Sequence, residues 1–331
     1  MNLPHFNYHT PGSLDECAAL MKTFREQAVL VAGGTDLYVR MKHRLATPSH
    51  VVSLGRIPGM HQISFDPARG LTLGAIVHLS VLAGSHLVKE KYPALAEAAS
   101  LVATGQIRNM ATLGGNVLQE TRCLYYNRSI LWKKGVPSCI KRGGTVCHSV
   151  PQSKRCFAVY QGDIAPVLIV LRGKVFIYAD KEAEEMPVED IFTGQGKDPF
   201  KRTDQKIVSA FTVPALPYPS YTAYRKYRLR DGIDFPLAGC ALALQMDGKK
   251  IMDLRICLTG IGSSPILIKQ AIEIAHGREL TPTLAKDLSD AAFKEAHPVA
   301  NLGGNPDRRR LMIRQMVQEM LNGAAAPKEA K

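Results

Sequence analysis

Residues 28–37 read Ala28-Val29-Leu30-Val31-Ala32-Gly33-Gly34-Thr35-Asp36-Leu37. Five small apolar residues that run into Gly-Gly predict a short buried strand that ends in a tight loop. Consecutive glycines carry no Cβ and admit positive φ, so backbone N–H groups can converge there on an anion such as a pyrophosphate. A plain tight turn needs the same residues. Working outward, residues 37–45 are amphipathic and residues 51–54 form a second short strand. Upstream, Ser13 is a good N-cap, and Leu14, Cys17, Leu20, Met21 and Phe24 recur at helical spacing. The first 55 residues therefore predict a small α/β unit with Cys17 in its core.

A second unit is expected over 56–215. It holds a strand at 71–73, an Ala-rich helix over 93–103, a second glycine pair in Thr112-Leu113-Gly114-Gly115-Asn116, a helix over 164–170 and strands at 175–178 and 207–213. Neither glycine pair fits G-x-G-x-x-G or G-x-x-x-x-G-K-[ST], which argues against a Rossmann site or a phosphate loop. Pro214, Pro217 and Pro219 mark a boundary. The third unit, 216–331, starts with strands at 221–229, 237–245 and 251–261, the last two joined by an Asp247-Gly248 turn. Helices over 264–276, 281–296 and 306–321 and a polar tail from Gly323 complete an α+β chain.

Charge is unevenly spread. The chain carries +13 overall, and the 34-residue stretch 123–156 supplies seven cations (Arg128, Lys133, Lys134, Lys141, Arg142, Lys154, Arg155) and no acid. The remainder carries +6, with no aromatic-interleaved nucleic-acid motif, so a nucleic-acid footprint is not expected. With no signal-peptide pattern and no run of 18 apolar residues, a cytoplasmic protein outside the membrane is expected.

That basic stretch also holds Cys123, Cys139, Cys147 and Cys156, spaced C-x15-C-x7-C-x8-C. Thiols gathered in a reducing compartment more often bind metal than pair as disulfides. Structural zinc favours close C-x2–4-C pairs, absent here. Wide spacing suits an iron–sulfur cluster held by four cysteines, whose net negative charge the cations would offset. Zinc and free thiols stay open on spacing alone. Cys240 and Cys257 lie in apolar strands and are expected in the core. His148 is either a partner of the cysteine site or an exposed loop residue, and Trp132, Tyr125 and Tyr126 are expected to pack the cysteine loop. Arg308, Arg309 and Arg310 are expected on a solvated or intersubunit face.

The order Ala32-Gly33-Gly34-Thr35-Asp36-Leu37, Ala111-Thr112-Leu113-Gly114-Gly115-Asn116, Gly162-Asp163-Ile164-Ala165-Pro166, Tyr224 to Arg230, and Asp234-Phe235-Pro236-Leu237-Ala238 resembles the FAD-binding medium subunits of the xanthine oxidase family of molybdenum enzymes. The resemblance spans nearly the whole chain. It implies a two-part FAD-binding domain of the vanillyl-alcohol-oxidase/PCMH-like type over 1–55 and 56–215, and a C-terminal domain of the CO dehydrogenase flavoprotein type over 216–331. Most members lack cysteines between the second glycine pair and Gly162-Asp163. The insertion at about 118–160, with Thr121-Arg122-Cys123, Tyr126-Asn127, Cys139, Lys141, Cys147-His148 and Arg155-Cys156, is similar to that of the β subunits of 4-hydroxybenzoyl-CoA reductases, where it carries a [4Fe-4S] cluster.

By that resemblance Leu30, Val31, Ala32, Gly33, Gly34, Thr35, Asp36 and Leu37 would meet the FAD pyrophosphate. Thr112, Leu113, Gly114, Gly115 and Asn116 would lie between pyrophosphate and isoalloxazine, Asp163 and Lys226 at the flavin or its ribityl chain, and Val102 would offer a backbone contact. The residues alone leave Asp163 as a helix N-cap and Lys226 as a solvated strand residue. The implied function is electron transfer from an acidic ferredoxin through [4Fe-4S] and FAD to a small [2Fe-2S] subunit and a molybdopterin-bearing large subunit. The implied assembly is a dimer of heterotrimers that dehydroxylates 4-hydroxybenzoyl-CoA reductively. A related hydroxylase running oxidatively is the alternative, and a zinc-loop binding module with plain Gly-Gly turns is a reading from another class.

Overall fold

A computed structural model describes residues 2–179, 181–201, 206–217 and 220–325; Pro219 and the tail from 326 lie outside the described residues. Three sheets follow one another along the chain. The first is parallel, in the order β1 (Asn7–His9), β3 (His50–Ser53), β2 (Ala28–Val31). Its crossover helix Leu14–Phe24 starts where expected, with Ser13 Oγ accepting from Glu16 N at 3.1 Å, and it buries Cys17 and Met21.

The second sheet is antiparallel: β4 (Ile63–Asp66), β5 (Gly70–Gly74), β8 (Ile207–Val213), β6 (Lys174–Ala179) and β7 (Glu182–Pro187), in that order. β7 had no apolar alternation to betray it, because it is an exposed, glutamate-rich edge strand, and charge on an edge discourages pairing with other chains. The third sheet, β12 (Ile266–Leu267), β11 (Lys250–Thr259), β10 (Ala238–Asp247) and β9 (Ser220–Tyr227), is also antiparallel. Its β10–β11 hairpin turns at Gly248, whose φ of 55° suits glycine. Helices Gln270–Ala275, Pro282–Glu295 and Pro306–Ala325 pack on this sheet.

Two helical expectations are corrected. The segment from 264 does not open as a helix: Pro265 disfavours helical geometry at Ser264, and Ile266 and Leu267 pair with Leu258 and Cys257 instead. The triple arginine is not a solvated face. Arg309 is fully buried and donates to the carbonyls of Leu237, Val299 and Gly260 at 2.9, 3.0 and 2.6 Å, tying the last helix to the start of β10 and the end of β11. Arg310 donates to Phe293 O at 2.8 Å.

Helices Pro93–Ser100 and Ile164–Val170 pack on each other and on the third sheet, in a core that also holds Leu71 and Phe211 of the second. Every residue of Ile164–Val170 is buried, which accounts for its unbroken apolar sequence. Cys240 and Cys257 are core thiols, as expected. Among the described residues no helix is long and apolar enough to cross a membrane.

Candidate functional site

The two glycine pairs, about eighty residues apart in sequence, meet. A Cβ on Gly33 would lie 1.7 Å from Met110 O, so only glycine lets the first loop press against the backbone that leads into the second. Gly34 takes a φ of 70°, and a Cβ there would meet the Tyr38 ring. On the other side, a Cβ on Gly114 would reach 2.9 Å from Ala75 O.

Between the loops lies a cavity of about 560 Å³. All eight residues Leu30, Val31, Ala32, Gly33, Gly34, Thr35, Asp36 and Leu37 line it, with Thr112, Gly114 and Gly115 opposite. The loops differ in what they still offer. The amides of Leu113, Gly114, Gly115 and Asn116 donate to Val77 O, Ala75 O, Thr112 Oγ1 and Thr112 O. Those of Gly33, Gly34, Thr35 and Asp36 have no protein acceptor among the described residues. The first loop therefore presents unspent N–H donors and the second presents shape, a fit to one end of a dinucleotide diphosphate.

Asn116 and Leu113 face away from this cavity. Asn116 Oδ1 accepts from Ile164 N at 3.0 Å, and this bond caps helix Ile164–Val170 from outside. Asp163, at the N-cap position, makes no capping bond and turns its carboxylate to Tyr224 Oη at 2.8 Å and Lys226 Nζ at 3.1 Å. Lys226 is not solvated: it also donates to Leu101 O at 3.0 Å, and the two side chains of the pair are 1% and 2% exposed. Burial raises the Asp163 pKa, and Lys226 offsets part of that. Val102 is buried, and its carbonyl accepts from Arg108 Nη1 at 2.7 Å. Asp163 and Lys226 thus form a buried pair outside the lining of the loop cavity, and Val102, next in sequence to Leu101, is also outside it.

The four cysteines converge. Cys123, Cys139, Cys147 and Cys156 all line one small cavity, with Tyr125, Tyr126, Lys141 and His148 in its wall. Its volume is about 20 Å³, near that of one water, and among the described residues no three His, Cys, Asp or Glu stand where one metal ion would join them. Four cysteines around one space are the residue set an iron–sulfur cluster would need, while the space itself is smaller than a cluster core. Burial pushes the Cys156 thiol up, and Cys123 and Cys147 add to this. Tyr125, Trp132 and His148 pack on one another with centroids 5.7 to 6.2 Å apart, and His148 Nε2 lies 2.9 Å from Pro137 O.

Sequence reasoning missed what joins the two sites. Arg122, next to Cys123, pairs with Asp36 at 2.5 Å and stacks on the Phe235 ring with its guanidinium carbon 3.8 Å from the centroid. Arg40, in the cavity wall, pairs with Glu120 at 3.2 Å, and Glu120 pairs with Lys141 at 2.7 Å. Arg40 lies four residues after Asp36 on the expected amphipathic run, so its helical phase was the available signal. Of the seven cations in the cysteine stretch, Lys133 and Lys141 turn inward beside the Tyr126 ring, 5.6 and 5.3 Å from its centroid, and the other five are exposed.

Residues 4–216 match the family model described as the FAD binding domain in molybdopterin dehydrogenase, and residues 222–324 match the CO dehydrogenase flavoprotein C-terminal domain. The carbon monoxide dehydrogenase medium chain of Hydrogenophaga pseudoflava is 27% identical over 98% of both chains. The aldehyde oxidoreductase FAD-binding subunit PaoB of Escherichia coli is 31% identical over 82% of this chain and 85% of its own. A solved carbon monoxide dehydrogenase from Hydrogenophaga pseudoflava, in a form that lacks the Mo-pyranopterin moiety, superposes with a TM-score of 0.80 at 26% identity, covering 98% of this chain and 99% of that one. The expected α+β fold, an FAD-binding region followed by a CO dehydrogenase flavoprotein C-terminal domain, is the fold observed. This chain belongs to the FAD-binding medium subunits of the xanthine oxidase family of molybdenum hydroxylases.

Proposed function

We propose that this subunit carries electrons between a [4Fe-4S] cluster held by Cys123, Cys139, Cys147 and Cys156 and FAD held between the two glycine loops, within a 4-hydroxybenzoyl-CoA reductase. The observation that carries the reading is the convergence of four thiols, spread over 34 residues, on one cavity beside the cofactor cavity. Bound between the loops, FAD would supply interconversion of one- and two-electron transfer, and a cluster held by the four thiols would supply single-electron transfer. The chain's own residues do the rest. The unspent amides of Gly33, Gly34, Thr35 and Asp36 bind the diphosphate, while Asp163 and Lys226, fixed by Tyr224 and Leu101 O, hold a charge pair for the flavin end. Exposed Arg128, Lys134, Arg142, Lys154 and Arg155 lie in the same segment as the four cysteines and give it a positive charge suited to an acidic ferredoxin.

In this reading a small [2Fe-2S] subunit and a molybdopterin-bearing large subunit complete the complex as a dimer of heterotrimers, and the phenolic hydroxyl of 4-hydroxybenzoyl-CoA is removed on the large subunit. A second reading is favoured by the relatives, whose names include a carbon monoxide dehydrogenase and a nicotine 6-hydroxylase: the same subunit passes electrons outward from an oxidative hydroxylation. Iron, sulfide and FAD assays on protein purified without oxygen test the cofactors. About four irons and four sulfides per chain, lost in Cys139→Ser, are expected. A chain with FAD and no iron sinks the cluster. Turnover of the whole complex with reduced ferredoxin and 4-hydroxybenzoyl-CoA separates the two directions; no benzoyl-CoA ends the reductive one.

A further inference from the structure

One carboxylate serves both sites. Glu120 Oε2 accepts from Arg40 Nη2 at 3.2 Å, and its Oε1 accepts from Lys141 Nζ at 2.7 Å and from Thr121 N at 2.9 Å. Arg40 sits on helix Leu37–Lys42 and lines the cofactor cavity. Lys141 lies two residues beyond Cys139 and lines the cysteine cavity. Its ammonium also donates to Thr121 Oγ1 and Gly196 O, both at 2.7 Å, and its side chain is 4% exposed, so Glu120 is its carboxylate partner.

We propose that Glu120 is a positioning residue that divides its charge between Arg40 and Lys141, so that the cysteine segment controls how much of the Arg40 charge is available to an anionic dinucleotide in the cofactor cavity. The inference rests on the placement of FAD between the glycine loops and is independent of what the thiols hold. With Lys141 in place, the carboxylate is satisfied by the shorter contact, and Arg40, the longer one, retains charge for a phosphate. Without Lys141, Arg40 is the only cation paired with Glu120 among the described residues and is drawn from the cavity. Without the charge on Glu120, Arg40 is released toward the cavity while Lys141 loses its anchor. The two perturbations therefore act in opposite directions on cofactor affinity, and by reciprocity a dinucleotide in the cavity strengthens the hold of Glu120 on Lys141.

Quenching of FAD fluorescence by the flavin-free, full-length chain measures this. Lys141→Met is expected to weaken FAD binding roughly five- to twentyfold, the usual size of such couplings. Lys141→Arg is expected to bind as the unaltered chain does, and Glu120→Gln as tightly or more tightly. In an Arg40→Met background, which itself weakens binding, Lys141→Met should add nothing. Losses in the same direction for Lys141→Met and Glu120→Gln, or a full Lys141→Met loss without Arg40, would mark general loosening and overturn the proposal. So would an unchanged affinity in Lys141→Met. If Lys141→Met does not fold, the opposed effects of Glu120→Gln and Arg40→Met decide alone. An unaltered chain that binds no FAD overturns the cofactor placement and this inference with it, whereas an unaltered chain that binds FAD while Lys141→Met binds it equally well overturns this inference alone.

Discussion

Replacing Lys226 by methionine would leave the Asp163 carboxylate buried with only the Tyr224 hydroxyl as donor. Removing one member of a buried ion pair costs about 3–5 kcal/mol, because the remaining charge is stranded. Unfolding entropy near 2.1 cal/mol/K per residue over 331 residues amounts to ~0.7 kcal/mol/K, so the midpoint should fall by about 4–7 °C in a cooperative melt. The stranded carboxyl has an escape by taking up a proton. Burial already raises its pKa, and loss of Lys226 removes what offsets that rise. A carboxyl raised in the folded state contributes stability that is full below its unfolded value, ~3.9, and is lost as pH rises through the folded value. The variant should thus be closer to the unaltered chain at pH 5 than at pH 8, by differential scanning calorimetry or urea melts. Adding Asp163→Asn should recover part of the loss and flatten the pH dependence. A deficit equal at both pH values, or a double variant as unstable as the sum of the singles, would refute the account of a stranded charge.

Gly33→Ala would set a Cβ 1.7 Å from Met110 O and 2.6 Å from its carbonyl carbon, so backbone must move and the two glycine loops must part. It should cost ~1–3 kcal/mol and strip FAD on gel filtration, whereas Gly115→Ala, which meets only the Thr112 hydroxyl at 2.8 Å, should retain it. Arg309→Met leaves the carbonyls of Leu237 and Gly260 without the Arg309 donor and takes one of two donors from Val299 O, which keeps Asn301 N at 2.8 Å; at about 1 kcal/mol per bond the stability should drop by roughly 2–3 kcal/mol. Glu120 is pushed up by burial but pulled further down by Lys141 and Arg40, so its net shift is downward. Its contribution is present above the unfolded value of ~4.3 and is lost as pH falls through the folded one. Hydrogen exchange in residues 118–160 should quicken at that point, and Glu120→Gln should show the loosened state already at neutral pH.

Local chemistry was legible in the sequence and long-range pairing was not. A strand that ends in Gly-Gly, a capped helix after Ser13 and an unbroken apolar helix at 164–170 each depend on neighbours in the chain, so each could be read directly. The Asp163–Lys226 pair depends on residues 63 apart and on Leu101, and nothing near Lys226 announces that the lysine is buried. Arg309 is different, because its signal was present. It stands four residues before Ile313, in phase with Met316, Val317 and Met320, all buried, and the helical period marks it as inward. Three consecutive arginines mask that phase, although three adjacent helical residues fan out over roughly 200° and cannot all share one solvated face.

The same division governs the charge around the cysteines. Seven cations without an acid read as one basic surface, yet the partner acid lies just upstream, at Glu120, and folding brings Lys141 onto it. Lys141 is therefore spent on the seam between the cysteine segment and the cofactor cavity. Lys133 is buried beside Tyr126, and the other five are exposed; in the proposed reading the first would offset charge on the thiols and the five would meet a partner. A segment that only docked an acidic carrier would have no need to bury two lysines, and one that only neutralised a cluster would have no need to expose five cations. Both arrangements in 34 residues, with Arg122 and Glu120 fixing the stem to Asp36 and Arg40, are what the proposed port between a surface carrier and an internal flavin would require.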